Sequence, residues 1–271
     1  MLGIFDSGFG GLTVLKPIHR RLPNLSTIYL GDNARSPYGT RTHEEIFAFA
    51  LDGIRELFGR GCPLVIAACN TASAQALRQI QQTILPTEFP DRRVLGVIRP
   101  TAEELASMSA SGHVGIMATP ATVRSEAYVH ELRKVRPNIV VAQVACPGLV
   151  DLIESGREAS PEAASLAKIY CNKLMASDPA VDTVLLGCTH YPLVEPLFRT
   201  FLPPTVAIIT QGAIVADKLA DYLARHPDIA SRIDHAESRT YLTTKNGLSV
   251  SQLASRFYGS NLRFEQVRMW T

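Results

Sequence analysis

The chain twice writes an apolar run that ends in a small residue, a cysteine and a polar turn: Val65-Ile66-Ala67-Ala68-Cys69-Asn70-Thr71 and Leu185-Leu186-Gly187-Cys188-Thr189-His190. Each run is short, β-branched or leucine-rich, and stands before a stretch of helical spacing. That is the grammar of an α/β unit, in which a buried strand delivers its last residues to a turn that opens a helix. A second pair reads the same way, Gly3-Ile4-Phe5-Asp6-Ser7 and Gly115-Ile116-Met117-Ala118-Thr119. The members of the two pairs are 119 and 112 residues apart, so one half of the chain reads as a repeat of the other.

Outward from these runs, strands are expected at Leu2–Phe5, Thr27–Leu30, Leu64–Ala67, Arg93–Val97, Val114–Met117, Ile139–Gln143, Thr183–Leu186 and Val206–Ile209. Helices are expected at Leu12–Arg21, His43–Gly59, Ala72–Ile84, Arg124–Val135, Pro161–Ala176 and Gly212–Ala224. Near-continuous apolar strands alternating with helices predict α/β architecture with mainly parallel sheets covered on both faces. Repetition predicts two similar domains related by a pseudo-twofold axis, and the 271-residue length suits two domains of ordinary size. Ligands of open α/β sheets collect at the carboxyl ends of strands. Two halves facing each other would put Cys69 and Cys188 on opposite walls of one cleft.

Composition narrows the function. With 46% hydrophobic and 19% charged residues the chain can bury a core. A formal net charge of +2, without a dense basic run interleaved with aromatics, gives no sign of a nucleic-acid partner. The opening MLGIFDSGFGG has neither the basic nor the apolar region of a secretion signal, and no later segment is an apolar membrane span, so a cytoplasmic location is expected. Five cysteines, 62, 69, 146, 171 and 188, in a chain without an export signal predict reduced thiols, and their spacing is not that of zinc ligands. Neither a metal nor a cofactor is expected.

Opposed thiols suggest inversion at carbon. Racemisation through a carbanion removes a proton from one face and returns one to the other, which calls for a base and an acid on opposite sides. A free thiol has a pKa near ~8.5, and a helix N-terminus favours its thiolate, so one cysteine can begin as thiolate and the other as thiol. Asp6 and His190 stand where they can assist proton movement at the two sulfurs, with Glu154 a further candidate carboxylate on the second side. The hydroxyls of Ser7, Thr71 and Thr189 suit the carboxylates of an acidic substrate.

On these residues the chain resembles the glutamate racemase family. The carriers of the resemblance are Asp6-Ser7-Gly8-Phe9-Gly10-Gly11-Leu12-Thr13-Val14, Gly31-Asp32 with Pro37-Tyr38-Gly39, Cys69-Asn70-Thr71-Ala72-Ser73, and Gly187-Cys188-Thr189-His190-Tyr191-Pro192-Leu193, within a match from Ile4 to about Ala216. The resemblance implies cofactor-independent interconversion of L- and D-glutamate, supplying D-glutamate for peptidoglycan. It implies that Cys69 acts on the D-enantiomer and Cys188 on the L-enantiomer. It also implies substrate contacts at Asp6, Ser7, Pro37, Tyr38, Gly39, Asn70, Thr71, Thr189 and His190, with Thr119 and Thr122 near the distal carboxylate. A first domain of residues 1–94 plus 207–271, a second of 95–206, the active site between them and a homodimer follow as expectations. Two positions depart from the pattern, Ala121 where Gly is expected and Gln211 where Ser is usual, and both bear on the shape of the distal pocket. Only five residues precede Asp6, short of the N-terminal extension of members activated by a cell-wall precursor, so no such activation is expected.

Taken singly, these residues have plainer readings. A cysteine at a strand end is most often a small core residue; Cys62, Cys146 and Cys171 are read that way, with Cys146 a candidate to line the cleft. Asp6 and Ser7 are common helix caps, Gly8-Phe9-Gly10-Gly11 reads as a tight turn rather than a dinucleotide fingerprint, and Glu154 is balanced between a solvated helix residue and a site carboxylate. The remaining histidines, at 19, 43, 113, 130, 226 and 235, share no spacing and are expected at the surface. Tyr241–Thr244 and Phe264–Val267 look like strand pieces without motif chemistry. The competing functions are another racemase of this chemistry, such as one acting on aspartate, and a non-catalytic binding protein on the same fold.

Overall fold

The computed structural model describes residues 1–269, with residues 247–249 by backbone alone, so the last two positions of the expected 207–271 stretch lie outside the described residues. Among the described residues ten strands are arranged in two sheets: β1 Leu2–Asp6, β2 Thr27–Gly31, β3 Leu64–Ala67, β4 Arg93–Gly96, β5 His113–Ala118, β6 Val140–Ala145, β7 Thr183–Gly187, β8 Ala207–Ile209, β9 Arg239–Thr243 and β10 Glu265–Gln266. One sheet has the order β10-β9-β2-β1-β3-β4 and the other β6-β5-β7-β8, and all pairings within each sheet are parallel. Every residue of β1, β2, β3 and β7 is buried, as strands covered by helices on both faces must be.

The repeat is visible in topology. The run β2-β1-β3-β4 has the same internal order as β6-β5-β7-β8. Gly3 pairs with Val65 in one sheet and Gly115 with Val184 in the other. A Cβ on either glycine would lie 3.0 Å from the Cγ2 of its valine. Four residues beyond each valine comes a cysteine, so Cys69 and Cys188 leave equivalent strand ends. In this strand order the crevice for ligands opens beyond the carboxyl ends of the two central strands, where these loops emerge.

Several elements differ from the sequence expectation. The helix expected over Ala72–Ile84 begins earlier and breaks into Asn70–Gln75, Leu77–Gln79, a π-turn at Ile80–Ile84 and Leu85–Glu88. There Thr83 donates its hydroxyl to the Gln79 carbonyl (2.8 Å), side-chain bonding that competes with the regular ladder. The helix expected over Arg124–Val135 is two helices, Pro120–Arg124 and Ala127–Val135, separated by Glu126 in the left-handed region (φ 52°). The strand expected at Ile139–Gln143 runs instead over β6. Helices Ile98–Met108, Leu149–Glu154, Glu195–Phe201 and Gly247–Tyr258 were not foreseen; the first and third carry a proline in their opening turn, which reads in sequence as a breaker.

The two C-terminal strand pieces become β9 and β10, which widen the first sheet beyond β2. His19 is not at the surface. It lies on the buried face of Leu12–Arg21, with Nε2 2.9 Å from Thr27 Oγ1 and Nδ1 2.6 Å from Tyr258 Oη, and burial with the nearby Arg239 charge lowers its pKa to about 4. Among the described residues no helix is long and apolar enough to cross a membrane.

Candidate active site

The first wall of the site grows from the end of β1. Asp6 is fully buried; its Oδ1 accepts from the Gly8 N–H (3.0 Å) and its Oδ2 from the Thr189 hydroxyl (3.3 Å) of the other half. The glycine loop that follows permits this contact. A Cβ on Gly11 would sit 2.6 Å from the Asp6 Cβ, and one on Gly10 would sit 2.1 Å from Thr189 Oγ1 and 2.6 Å from His190 Nδ1. These glycines let backbone from one half press against the cysteine loop of the other.

Cys69, at the end of β3, donates its thiol to Ser7 Oγ (3.3 Å), and its sulfur accepts from the Ala72 N–H (3.5 Å). Burial, reinforced by the neighbouring Asp6 charge, pushes the Cys69 thiol up to about 12 against these two hydrogen bonds. The expectation that a helix terminus would favour the thiolate therefore does not hold at Cys69: the helix after it has six residues, and its single N–H contact is outweighed by desolvation. Burial also pushes the Asp6 carboxyl up, opposed by the His190 charge and by hydrogen bonds from Gly11, Gly8 and Thr189.

The second wall grows from the end of β7, where Cys188 precedes a short 3₁₀ turn, Tyr191–Val194, rather than an α-helix. His190 Nδ1 is 3.9 Å from Cys188 Sγ, and its Nε2 is 3.0 Å from Glu154 Oε1, which also accepts from Ser36 Oγ at 3.0 Å. Burial alone would lower the His190 pKa, but the hydrogen bonds to Cys188 and Glu154 and the charges of both raise it well above the usual imidazole range. Glu154 is held below the usual carboxylate range because the His190 contact outweighs its own burial. Glu154 is thus half-buried beside the site, not a solvated helix residue. The two sulfurs sit in unlike settings: Cys69 is a thiol beside the Ser7 hydroxyl and the Asp6 carboxyl, and Cys188 faces the His190 imidazole backed by the Glu154 carboxylate.

Both cysteines line one cleft, together with Ser7, Ser36, Pro37, Tyr38, Gly39, Asn70, Thr71, Thr119, Val150, Thr189 and His190. Asp6, Glu154 and Thr122 stand directly behind this lining. The cleft is narrow, with a volume of ≈ 20 Å³, little more than the space one water requires (~10–15 Å³). Its floor is a hydroxyl cluster: Thr71 Oγ1 is 2.9 Å from Thr119 Oγ1 and 3.3 Å from Thr122 Oγ1, and the last two are 3.0 Å apart. Gly39 closes on this cluster, since a Cβ there would lie 2.8 Å from the Thr119 Cβ. Tyr38 turns its phenol away and donates to Asp32 Oδ2 (2.5 Å), so it meets the cleft with the rest of the residue. Cys146 is buried in the core and is not part of the lining. Sequence reading missed Ser36 and Val150; Ser36 adjoins the Pro37-Tyr38-Gly39 motif, whereas Val150 carries no chemical signal.

The profile of the Asp/Glu/hydantoin racemase family matches residues 10–219. A glutamate racemase of Cereibacter sphaeroides is 43% identical over 97% of this chain and 98% of its own length. A glutamate racemase isoform of Bacillus anthracis superposes with a TM-score of 0.89 at 31% identity, over 99% of this chain and 97% of that one. The glutamate racemase of Francisella tularensis, solved in complex with D-glutamate, gives a TM-score of 0.86 at 30% identity over 98% and 97% of the two chains. Two parallel sheets of matching order, a shared cleft lined by a cysteine from each, and similarity along nearly the full length agree: the chain belongs to the Asp/Glu/hydantoin racemase family.

Proposed function

We propose that this isomerase interconverts L- and D-glutamate by proton transfer at Cα between Cys69 and Cys188, without a cofactor. The observation that carries the reading is the pair of buried thiols in one cleft, each with its own polar partners: Ser7 and Asp6 at Cys69, His190 and Glu154 at Cys188. An imidazolium N–H directed at a sulfur is the arrangement that supports a thiolate. In the free enzyme Cys188 is then the base and Cys69 the acid. Cys188 takes the α-proton of L-glutamate, and Cys69 delivers its own proton to the opposite face to give D-glutamate. The reverse reaction starts from the opposite protonation state.

Each remaining residue has a place in this scheme. Ser7, Asn70, Thr71, Thr119 and Thr189, with the backbone of Pro37, Tyr38 and Gly39, would receive the substrate's polar groups, and Thr122 would orient Thr119. The hydroxyl cluster supplies donors for carboxylates in a site from which water is largely excluded, where such contacts are strongest. Asp6 and Glu154 act through Thr189 and His190 as positioning residues. Residues 1–94 with 207–271, and residues 95–206, are the two domains of this reading, which also places the enzyme in the cytoplasm as a homodimer supplying D-glutamate for peptidoglycan.

The test is incubation with each glutamate enantiomer in D₂O, following α-proton exchange by NMR and inversion by polarimetry. The wild type should invert and exchange both enantiomers. Cys69→Ser should lose inversion while still exchanging the α-proton of L-glutamate, and Cys188→Ser should do the same with D-glutamate. Undiminished inversion in either variant removes that thiol from the mechanism, and turnover of aspartate in place of glutamate removes the substrate assignment.

A further inference from the structure

We infer that Gln211 is a positioning residue that locks the Asn70 carboxamide with one N–H toward the cleft, and so sets the enzyme's affinity for its acidic substrate. This rests on the proposed glutamate reading of the site. A carboxamide has two N–H donors and one oxygen with two lone pairs. The Asn70 oxygen accepts from Gln211 Nε2 (2.9 Å) and from the Tyr128 hydroxyl (2.6 Å), which uses both lone pairs. Asn70 Nδ2 donates one hydrogen to Gln211 Oε1 (2.5 Å). One N–H remains, on a residue that lines the cleft.

The orientation is over-determined. Tyr128 Oη also lies 2.6 Å from Gln211 Nε2 and accepts from it, so the single phenolic proton is directed to Asn70. Reversing the Asn70 amide alone would set its NH₂ against the Gln211 NH₂ and leave two oxygens facing each other; reversing both amides together is opposed by Thr101, whose hydroxyl donates to the Val97 carbonyl (2.6 Å) and so meets Gln211 Nε2 (3.4 Å) only as an acceptor. Burial raises the Tyr128 phenol well above its ordinary range, so it stays a donor. Asn70, Gln211 and Tyr128 are 2%, 3% and 0% exposed, and an unmatched amide at that depth is costly. A serine at 211, the residue that the family resemblance leads one to expect, has one hydroxyl and cannot pair with both ends of the carboxamide. The lock also joins the halves: Asn70 follows β3, Tyr128 lies in Ala127–Val135, and Gln211 opens the helix that follows β8.

The test is steady-state racemisation in both directions by Gln211→Met, Tyr128→Phe, Asn70→Ala and the double variant Asn70→Ala/Gln211→Met. Methionine keeps the volume of glutamine and removes its hydrogen bonds. Gln211→Met should raise KM for both enantiomers on the order of 10-fold, the loss of a hydrogen bond to a charged group, with kcat changed less than about 2-fold. Tyr128→Phe should do so to a smaller extent. In the double variant KM should equal that of Asn70→Ala, because Gln211 acts only through Asn70. An unmoved KM in Gln211→Met, or an effect fully additive with Asn70→Ala, overturns the inference while leaving the glutamate reading intact. A wild type that does not racemise glutamate overturns both.

Discussion

Replacing Glu154 by Gln tests how the second sulfur is supported. The substitution keeps the shape of the side chain and an oxygen to accept from His190 Nε2 and Ser36, but it removes the charge that faces the imidazole at 3.0 Å. A hydrogen bond to a charged group contributes about 1.5–3 kcal/mol and a neutral one about 0.5–1.5 kcal/mol, so the imidazolium loses roughly 1–1.5 kcal/mol of stabilisation. At about 1.36 kcal/mol per pKa unit, the His190 pKa should fall by about one unit. Solvent should screen this little, because the His190 and Glu154 side chains are only 4% and 21% exposed.

His190 is raised in the folded protein, so its charged form is present at low pH and is lost as pH rises through that raised pKa. In Glu154→Gln the alkaline limb of kcat/KM should therefore move to lower pH by about one unit. Above the new limb kcat/KM should drop roughly 10-fold. L- and D-glutamate are equal in free energy, so kcat/KM must fall equally in both directions; a direction-specific effect can appear only in kcat and KM taken separately. Polarimetric rates from each enantiomer across pH, with a melting curve for each protein, make the measurement. An alkaline limb that stays in place would refute the claim that the Glu154 charge sustains the imidazolium, whatever the loss of rate.

Three other outcomes follow from the same contacts. Gly10→Ala puts a methyl 2.1 Å from Thr189 Oγ1 and should cut kcat/KM by about 100-fold or more through misplacement of the reacting groups, while the melting temperature falls much less than that loss suggests; wild-type rates would show that the glycine loop does not set the site. Phe257 lies edge-on to His190 (5.3 Å) and stacks on Phe9 (6.0 Å). Phe257→Ala should cost about 3–5 kcal/mol, lower the melting temperature by about 10 °C and slow turnover, and thermal melts with rates check both. His19 has its pKa lowered to about 4 against an unfolded value near ~6.5, so it destabilises the fold as pH drops through that window; in urea titrations from pH 7 to 4, His19→Gln should lose less stability than the wild type.

Much of this arrangement was legible in the chain. The strands were readable because both central β-α units repeat a long apolar run closed by small and polar residues, and β1, β3 and β7 fell within a residue of expectation. Asp6, Ser7, Cys69, Asn70, Thr71, Thr189 and His190 come together because they all sit at the carboxyl ends of β1, β3 and β7, whose two sheets face one cleft, a place that local pattern can mark. What was not legible depends on pairing across distance. The proline-opened helices look like breaks, and the burial of His19 needs Tyr258, 239 residues away. Glu154 stayed balanced between a solvated helix residue and a site carboxylate because its partners, His190 and Ser36, belong to other segments. Gln211 was visible only as a departure at one position, and its three-way contact with Asn70 and Tyr128 required the assembled halves.

The matched registers of the two sheets have a further consequence. One apolar core, with Leu2, Ile4, Val184 and Leu186, spans both sheets, but each sulfur leaves its own sheet, Cys69 one and Cys188 the other, so neither sheet alone fixes the separation between them. It is set along the seam where Gly10 meets Thr189 and His190, Gly39 meets Thr119, and Gln211 bridges Asn70 and Tyr128. In the proposed two-thiol mechanism the path of the proton lies in this seam. Changes in the cores should therefore act first on whether the protein stands, and changes along the seam on how far a proton must travel.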